Sequence, residues 1–163
     1  MTELKTPTPA DVRRFVGLQL VVTLLVVILV FVALGGAPAD DLPPLWQWIV
    51  LLALVFGASA LVSRWWTRPA PLPAGTANPS GEALRRLTAH LARSFLVLEL
   101  PLVVAALLSL AGPHQAWAVL ITAVPGLAAL VFGTWPTRRN VDRFATALEA
   151  DGVTSGLREA FAR

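Results

Sequence analysis

The chain has 163 residues, of which 56% are hydrophobic and only 14% are charged, with a formal net charge of +3. Soluble domains of this size are far less apolar, and the composition is typical of a membrane protein. Cysteine and tyrosine are absent and histidine occurs twice, which excludes disulfides, thiol chemistry, cysteine-type zinc sites and iron–sulfur clusters.

Four apolar runs follow one another along the chain, at residues 15–34, 45–62, 95–111 and 116–135. Each is about long enough to cross a hydrocarbon core of ~30 Å as a helix. Helices are expected because an open sheet leaves backbone groups unsatisfied in lipid. The sequence therefore predicts an all-α, polytopic membrane protein that forms a single membrane domain with four transmembrane helices.

The basic residues predict the orientation of these spans. Lysine and arginine occur before the first span, between the second and third, and after the fourth, whereas the loops "GGAPADDLPP" and "GPHQ" contain none. By the positive-inside rule, both termini face the cytoplasm across the cell membrane.

The first span has one alternative interpretation. The tripeptide Ala37-Pro38-Ala39 after a basic start resembles a signal-peptide cleavage site. The apolar run is longer than the ~7–15 residues of a signal h-region, so we favour a retained span over a cleaved signal.

The spans show an internal similarity. The pentapeptide "ALVFG" occurs in the second and fourth spans, and "RRFVGLQL" in the first aligns with "RSFLVLEL" in the third, which places Gln19 opposite Glu99. Chance matching of apolar residues is the alternative explanation, but an identical pentapeptide in register with a polar match favours duplication. The chain is thus predicted to contain two helical hairpins related as a parallel repeat.

The two copies of "ALVFG" carry small residues four positions apart, Ala53 with Gly57 and Ala129 with Gly133. This spacing lets helix backbones approach closely. We expect these helix-packing residues to meet at the centre of the bundle or, failing that, at a homodimer interface.

The segment between the hairpins, residues 63–94, contains the proline-rich stretch "TRPAPLPAGTANPSG" at residues 67–81. Proline at this density predicts an extended linker along the membrane surface. An amphipathic helix capped by Ser80 follows, and we expect it to lie at the inner membrane surface and lead into the third span. His90 belongs to the stripe of this helix that is expected to face solvent.

The tail, residues 136–163, has a second amphipathic pattern. Val141, Phe144 and Leu148 recur at helical spacing, and Gly152 is expected to end the helix. Arginines flank both cytoplasmic segments and would attract anionic lipid headgroups, each by about 1 kcal/mol near the surface. Nucleic acid is not expected as a partner, because the basic residues follow topology and aromatic stacking residues are missing from these segments.

The stretch "FGTWPTRRNVDRFATALEADGVTSGLREAF" resembles the ends of small, uncharacterised four-span integral membrane proteins of actinobacteria. The shared feature is a span ending in Trp-Pro-Thr-Arg-Arg before an amphipathic helix. The resemblance covers about a fifth of the chain and implies a bacterial membrane location without an activity.

Residue types that carry catalysis are sparse. His90 and His114 are separated by a whole span and cannot share a haem or a metal ion, and Asp40 and Asp41 are adjacent in a loop without ligand partners. No phosphate-binding loop or nucleophile–base set is present. We therefore expect no enzyme activity, no cofactor and no metal site.

Glu99 is the charged residue placed clearly within a span. An ionisable side chain at the bilayer centre costs about 2.5–3.5 kcal/mol, so it is a candidate functional residue, although it lies only ~6 Å beyond Phe95 along the helix. Paired with Gln19 it predicts an intramembrane polar clasp. The leading hypothesis is a non-catalytic accessory, scaffold or interaction subunit that engages a membrane-protein partner or a second copy of itself. The alternative is a small proton- or cation-coupled transporter that uses Glu99.

Overall fold

A computed structural model describes residues 7–35, 42–111 and 115–162 of the chain. Its described secondary structure is entirely helical, in the order α1 Pro9–Ala33, α2 Leu45–Trp65, α3 Pro79–Ala111, α4 Gln115–Thr134, α5 Arg138–Leu148 and α6 Leu157–Ala162. The first four helices are long and apolar enough to cross a membrane. The predicted all-α, multi-pass membrane architecture is thereby confirmed. The expectations about Asp40, Asp41 and His114, and about cleavage after Ala39, fall outside the described residues.

Helix α1 begins six residues before the predicted span because a capping box precedes it. The Thr8 hydroxyl accepts the Asp11 backbone N–H at 3.2 Å, and the Thr8 backbone N–H donates to the Asp11 carboxylate at 2.9 Å. Proline at the first helical position favours the same start, since its fixed φ suits a helix and its missing N–H is not needed there. The span is thus extended by about one and a half turns into the basic segment.

Helix α3 joins the predicted surface helix and the third span into one element of 33 residues. Asn78 caps it through a hydrogen bond from the Gly81 backbone N–H to its side-chain oxygen, 3.0 Å long, so the predicted cap at Ser80 is wrong by two residues. At ~1.5 Å per residue the helix is about 50 Å long, more than a hydrocarbon core requires. The surface helix leads directly into the third span, as expected, and its position at the inner membrane surface stays a prediction.

The four long helices are arranged around a central pair. Helices α3 and α4 make the most extensive contact, and α1 and α2 each pack against that pair and not extensively against each other in the described residues. Helix α1 is the most peripheral, with most of its apolar side chains exposed at a surface suited to lipid. The predicted hairpin of α1 and α2 therefore packs differently from that of α3 and α4, and the internal repeat stays a prediction.

One end of the bundle carries the arginines that flank the spans, and we call it the arginine-rich end. The larger buried core lies there, and it joins side chains of α1 to α6 with Leu72 of the linker. A smaller cluster at the opposite end consists of Leu51, Ala105, Ala118 and Ile121. The chain is therefore most tightly packed where the spans meet the non-spanning segments.

Residues 66–94, α5 and α6 form a folded region at the arginine-rich end, which we call the cap. Trp66, 2% exposed, donates its indole N–H to the Gly133 carbonyl at the end of α4, 2.8 Å away. Leu72 of the proline-rich linker is fully buried, and its backbone N–H donates to the Leu148 carbonyl at 2.8 Å. The linker has no regular helix, as predicted, but it turns at Pro73–Thr76 and is fastened to α5.

Helices α5 and α6 complete the cap. Val141, Phe144 and Leu148 are buried, which confirms the predicted amphipathic helix, although it ends at Leu148 before the turn at Gly152. Helix α6 was not predicted as a separate helix, and its Leu157 and Phe161 are buried. The Arg13 guanidinium of α1 donates to the Phe161 carbonyl at 3.2 Å and lies 5.5 Å from the centre of its ring. The end of the chain is thereby fastened to its first span.

Candidate functional site

The candidate site lies within the membrane-spanning part of the bundle, where α1 and α3 run side by side in the same direction. Phe15 and Phe95, which are aligned in the predicted repeat, contact each other edge to face with ring centroids 6.1 Å apart. One helical turn further along, the aligned residues Gln19 and Glu99 also meet. The two helices are therefore in register at this depth.

Glu99 accepts two hydrogen bonds, and both donors belong to α1. The Gln19 side-chain amide donates to Glu99 Oε1 at 3.2 Å, and the Thr23 hydroxyl donates to the same oxygen at 2.5 Å. The second distance is typical of a hydroxyl bound to a carboxylate. Three side chains thus form a polar clasp between α1 and α3.

Thr23 is the member of the clasp that sequence reasoning missed. It is 8% exposed, the lowest exposure of any polar residue on α1 among those described. Its hydroxyl oxygen also lies 3.0 Å from the Gln19 carbonyl one turn earlier, so a single hydroxyl proton is shared between two acceptors. The available signal was its position four residues after Gln19, which places both side chains on one face of the helix.

The Glu99 carboxyl group is hydrogen-bonded by neutral side chains. No ion pair to Glu99 occurs among residues 7–35, 42–111 and 115–162, and the same residues contain no cluster of three or more histidine and acidic side chains that could hold a metal ion. A carboxylate in lipid must have its hydrogen-bonding capacity satisfied within the protein. Gln19 and Thr23 fulfil this requirement at Oε1.

A groove of about 350 Å³ runs from the clasp between α1 and α3. Its walls extend from Gln19 to Val30 on α1 and from Glu99 to Leu110 on α3, about 17 Å in each case at the helical rise. Apart from the three clasp residues, its lining side chains are apolar. Val22 and Val26 on its rim are exposed, so the groove opens towards the lipid-facing surface.

The predicted helix-packing residues divide into two groups. A Cβ atom on Gly133 would lie 2.9 Å from Leu98 Cδ1 and 3.6 Å from Val62 Cγ1, so Gly133 lies at a close helix contact. Ala129 is partly buried against the larger core.

The equivalent residues of α2, Ala53 and Gly57, are exposed, and a Cβ on Gly57 would meet nothing within 4 Å. The expectation that both copies meet at the centre of the bundle is therefore wrong. It fails because α2 presents its other face, with Leu51 and Val55, to the central pair. The homodimer alternative for the Ala53–Gly57 face stays a prediction.

His90, expected in a solvated stripe, lies against aromatic rings in the cap. Its ring centroid is 4.5 Å from that of Trp66 and 5.1 Å from that of Phe144, and its Nε2 atom is buried without a hydrogen-bond partner among the described residues. Burial, with a smaller contribution from the Arg93 charge, lowers the pKa of His90 to about 4. The imidazole is therefore neutral at physiological pH.

Comparisons of the chain with protein-family models, curated proteins and solved structures found no match. The resemblance of the tail to actinobacterial membrane proteins therefore stays a prediction, and the function is proposed from the residues and their geometry.

Proposed function

We propose that this chain is a non-catalytic interaction or scaffold subunit of the cell membrane, with both termini in the cytoplasm and the cap as its interaction element. The observation that carries the proposal is the continuous core at the arginine-rich end. Trp66 and Phe144 of the cap pack into the same buried cluster as Leu98 and Leu130 of the spans. A folded cap joined rigidly to the spans is a suitable platform for a membrane-protein partner or a second copy of the chain.

The cytoplasmic placement of the cap is supported by its arginines. Arginine side chains at this end belong to α1, α2, α3 and α5, at Arg13, Arg14, Arg64, Arg93, Arg138 and Arg139. Positive charge next to spans is retained on the cytoplasmic side and attracts anionic headgroups of the inner leaflet. A lipid bilayer with anionic lipid is therefore the expected surrounding of the cap.

The clasp fits a structural role in this proposal. Helix α1 buries little surface, so hydrogen bonds contribute a large share of its attachment to the bundle. Interhelical hydrogen bonds in membranes contribute about 0.6 kcal/mol on average and up to about 2 kcal/mol. Gln19 and Thr23 together thus fix the register of α1 on α3. The contacts between the aligned pairs Phe15–Phe95 and Gln19–Glu99 also support the proposed duplication.

The second candidate function is proton- or cation-coupled transport by Glu99. It is supported by the groove, because Glu99 lines it and is half-buried where the groove meets lipid. A carboxylate beside a membrane-embedded cavity is a suitable group for exchanging a proton or binding a cation.

The substitution Glu99→Gln separates the two functions. It keeps the size of the side chain and an oxygen that accepts hydrogen bonds from α1, but it removes the charge. The scaffold proposal expects wild-type proteoliposomes to show no proton or cation flux above empty vesicles, and the variant to lose only stability. Glu159→Gln, which removes an exposed acid outside the spans, is the matched control.

Association is measured with the same variants in mild detergent. The proposal expects a stoichiometric partner or a homo-oligomer to be retained on purification. A strictly monomeric wild type without a stoichiometric partner, combined with a flux that Glu99→Gln abolishes, would overturn the scaffold role in favour of transport.

A further inference from the structure

The cap contains a second cavity, separate from the clasp, of about 540 Å³. It lies where α2 ends, between the start of the linker, the first half of α3 and α5. Three arginines, two aromatic residues and a half-buried histidine dominate its lining: Trp65, Arg68, Arg86, His90, Arg93 and Phe144. We call it the arginine pocket.

The charges of the arginine pocket are only partly compensated. Arg86 is engaged by Glu82 at 2.9 Å and by the carbonyl oxygens of Ala70 and Pro71 at 2.9 and 3.2 Å. The guanidinium groups of Arg68 and Arg93 have neither an ion pair nor a hydrogen bond to any described residue. The pocket therefore has two positive charges without a protein counter-ion.

A polar atom in the wall also lacks a partner. His90 Nε2 is buried and makes no hydrogen bond to the described residues, although buried polar atoms in proteins are nearly always paired. The rings of Trp66 and Phe144 lie against this imidazole, so a ligand of the cavity would lie beside His90 without contacting Nε2. Two guanidinium groups without protein partners that line one cavity suit an oxyanion such as phosphate, because guanidinium binds phosphate with paired N–H donors.

The position of the pocket limits the form in which phosphate reaches it. Trp65 and Arg68 belong to the boundary between a span and the cap, where tryptophan side chains anchor proteins at the headgroup level. Basic pockets beside transmembrane helices on the cytoplasmic side bind anionic lipid headgroups. We propose that the arginine pocket binds a phosphate group through Arg68 and Arg93, beside His90, and that the phosphate belongs to the headgroup of an anionic phospholipid. The lipid source rests on the proposed topology, whereas the phosphate site itself does not.

The test is binding of defined lipids to the purified full-length chain in detergent. Native mass spectrometry and titration compare phosphatidylglycerol, phosphatidylcholine and inorganic phosphate with the wild type and with Arg68→Gln/Arg93→Gln. The matched control is Arg64→Gln/Arg138→Gln, which removes the same charge from exposed arginines at the same end that do not line the pocket. We expect phosphatidylglycerol to bind at least ~10-fold more weakly to the pocket variant and within about twofold of wild type to the control.

The possible outcomes have different consequences for the proposed site. Equal weakening in the pocket variant and the control would mean diffuse surface attraction. Equal binding of phosphatidylcholine, whose phosphate is neutralised by its choline group, would mean that an anionic lipid is not selected. Competition by millimolar inorganic phosphate, with phosphatidylglycerol no better than phosphate alone, would support the site and assign it to a soluble phosphate compound. A cap found on the outer face would refute the proposed orientation without affecting binding in detergent.

A measurement on the wild-type chain makes the test independent of the folding of the arginine variants. The chain has two histidines, so the imidazole ¹⁵N signals are assigned with a single His114→Gln variant. Phosphatidylglycerol is expected to shift the His90 signal and leave the His114 signal in place. An unchanged His90 signal at saturating lipid would overturn the placement of the phosphate in the arginine pocket beside His90.

Discussion

The two glycines of the "ALVFG" repeats give a paired test of the packing. Both lie within helices, so replacing either by alanine gains helix propensity, up to about 1 kcal/mol, and between monomers the difference between the variants reports mainly packing. At Gly133 the new methyl group would lie 2.9 Å from Leu98 Cδ1, about 0.5–1 Å closer than carbon atoms pack. Leu98 is 2% exposed and cannot move into open space.

Overpacking of this kind costs about 1–3 kcal/mol. At Gly57 the methyl group meets nothing within 4 Å. We therefore expect Gly133→Ala to be less stable than Gly57→Ala by about 1–3 kcal/mol in reversible unfolding with dodecyl sulfate in mixed micelles, followed by circular dichroism. The oligomeric state of Gly57→Ala must be measured in parallel, because a homodimer through the exposed α2 face would add its own penalty. Equal stability of the two variants as monomers, within about 0.5 kcal/mol, would refute the α3–α4 packing described above.

Three further predictions concern the clasp and the cap. Thr23→Val removes a donor to Glu99 and should cost about 0.6–2 kcal/mol in the same unfolding assay, more than Thr122→Val, whose hydroxyl bonds only within its own helix; equal losses would mean that the clasp contributes nothing. His90 stays neutral in the folded cap down to a pH of about 4, whereas an exposed histidine gains a proton near 6.5. The free energy of unfolding should therefore fall by up to about 3 kcal/mol as the pH falls from about 6.5 to 4, and His90→Phe should flatten this dependence. A wild type equally stable at pH 7 and pH 5 would contradict the prediction. Burial raises the pKa of Glu149, but hydrogen bonds from Ser155 and pairing with Arg158 lower it by a larger amount, so the net pKa is below its usual value. The docking of α6 should therefore weaken as pH falls below about 4.5. A spin label on Ala162→Cys, unique in a chain without cysteine, should become mobile over that range and should already be mobile at pH 7 in Glu149→Gln; identical spectra would count against the docking.

The sequence was informative where one physical force decides the structure. Hydropathy alone predicted four spans, since lipid allows few alternatives to a helix of about 20 apolar residues. The alignment of the first and third spans placed Gln19 opposite Glu99, and those side chains are in contact in the structure. Thr23 has no polar counterpart in the repeat, because the aligned position is Val103, so the comparison gave no reason to select it.

The cap was predicted poorly because its structure depends on contacts between distant segments. A stripe containing Glu82, Arg86 and His90 is typical of a solvated helix face, but Trp66 and Phe144 cover the last of these. Similarly, the pattern of α2 does not reveal which of two apolar faces meets the central pair, so Gly57 was misplaced. Amphipathic periodicity indicates that a face is buried without indicating what covers it.

The continuity of α3 has a mechanical consequence. Arg93 in the arginine pocket and Glu99 in the clasp are six residues apart on one helix, about 9 Å along its axis. Because Arg93 and Glu99 lie on one continuous helix, a displacement of α3 at the arginine pocket would also displace Glu99 in the clasp. Coupling between two binding events is reciprocal by thermodynamic necessity. If the proposed headgroup displaces α3 when it binds, it would strengthen or weaken the hydrogen bonds of the clasp to α1. Reciprocally, a change at Glu99 that alters the clasp would change the affinity of the arginine pocket for the headgroup.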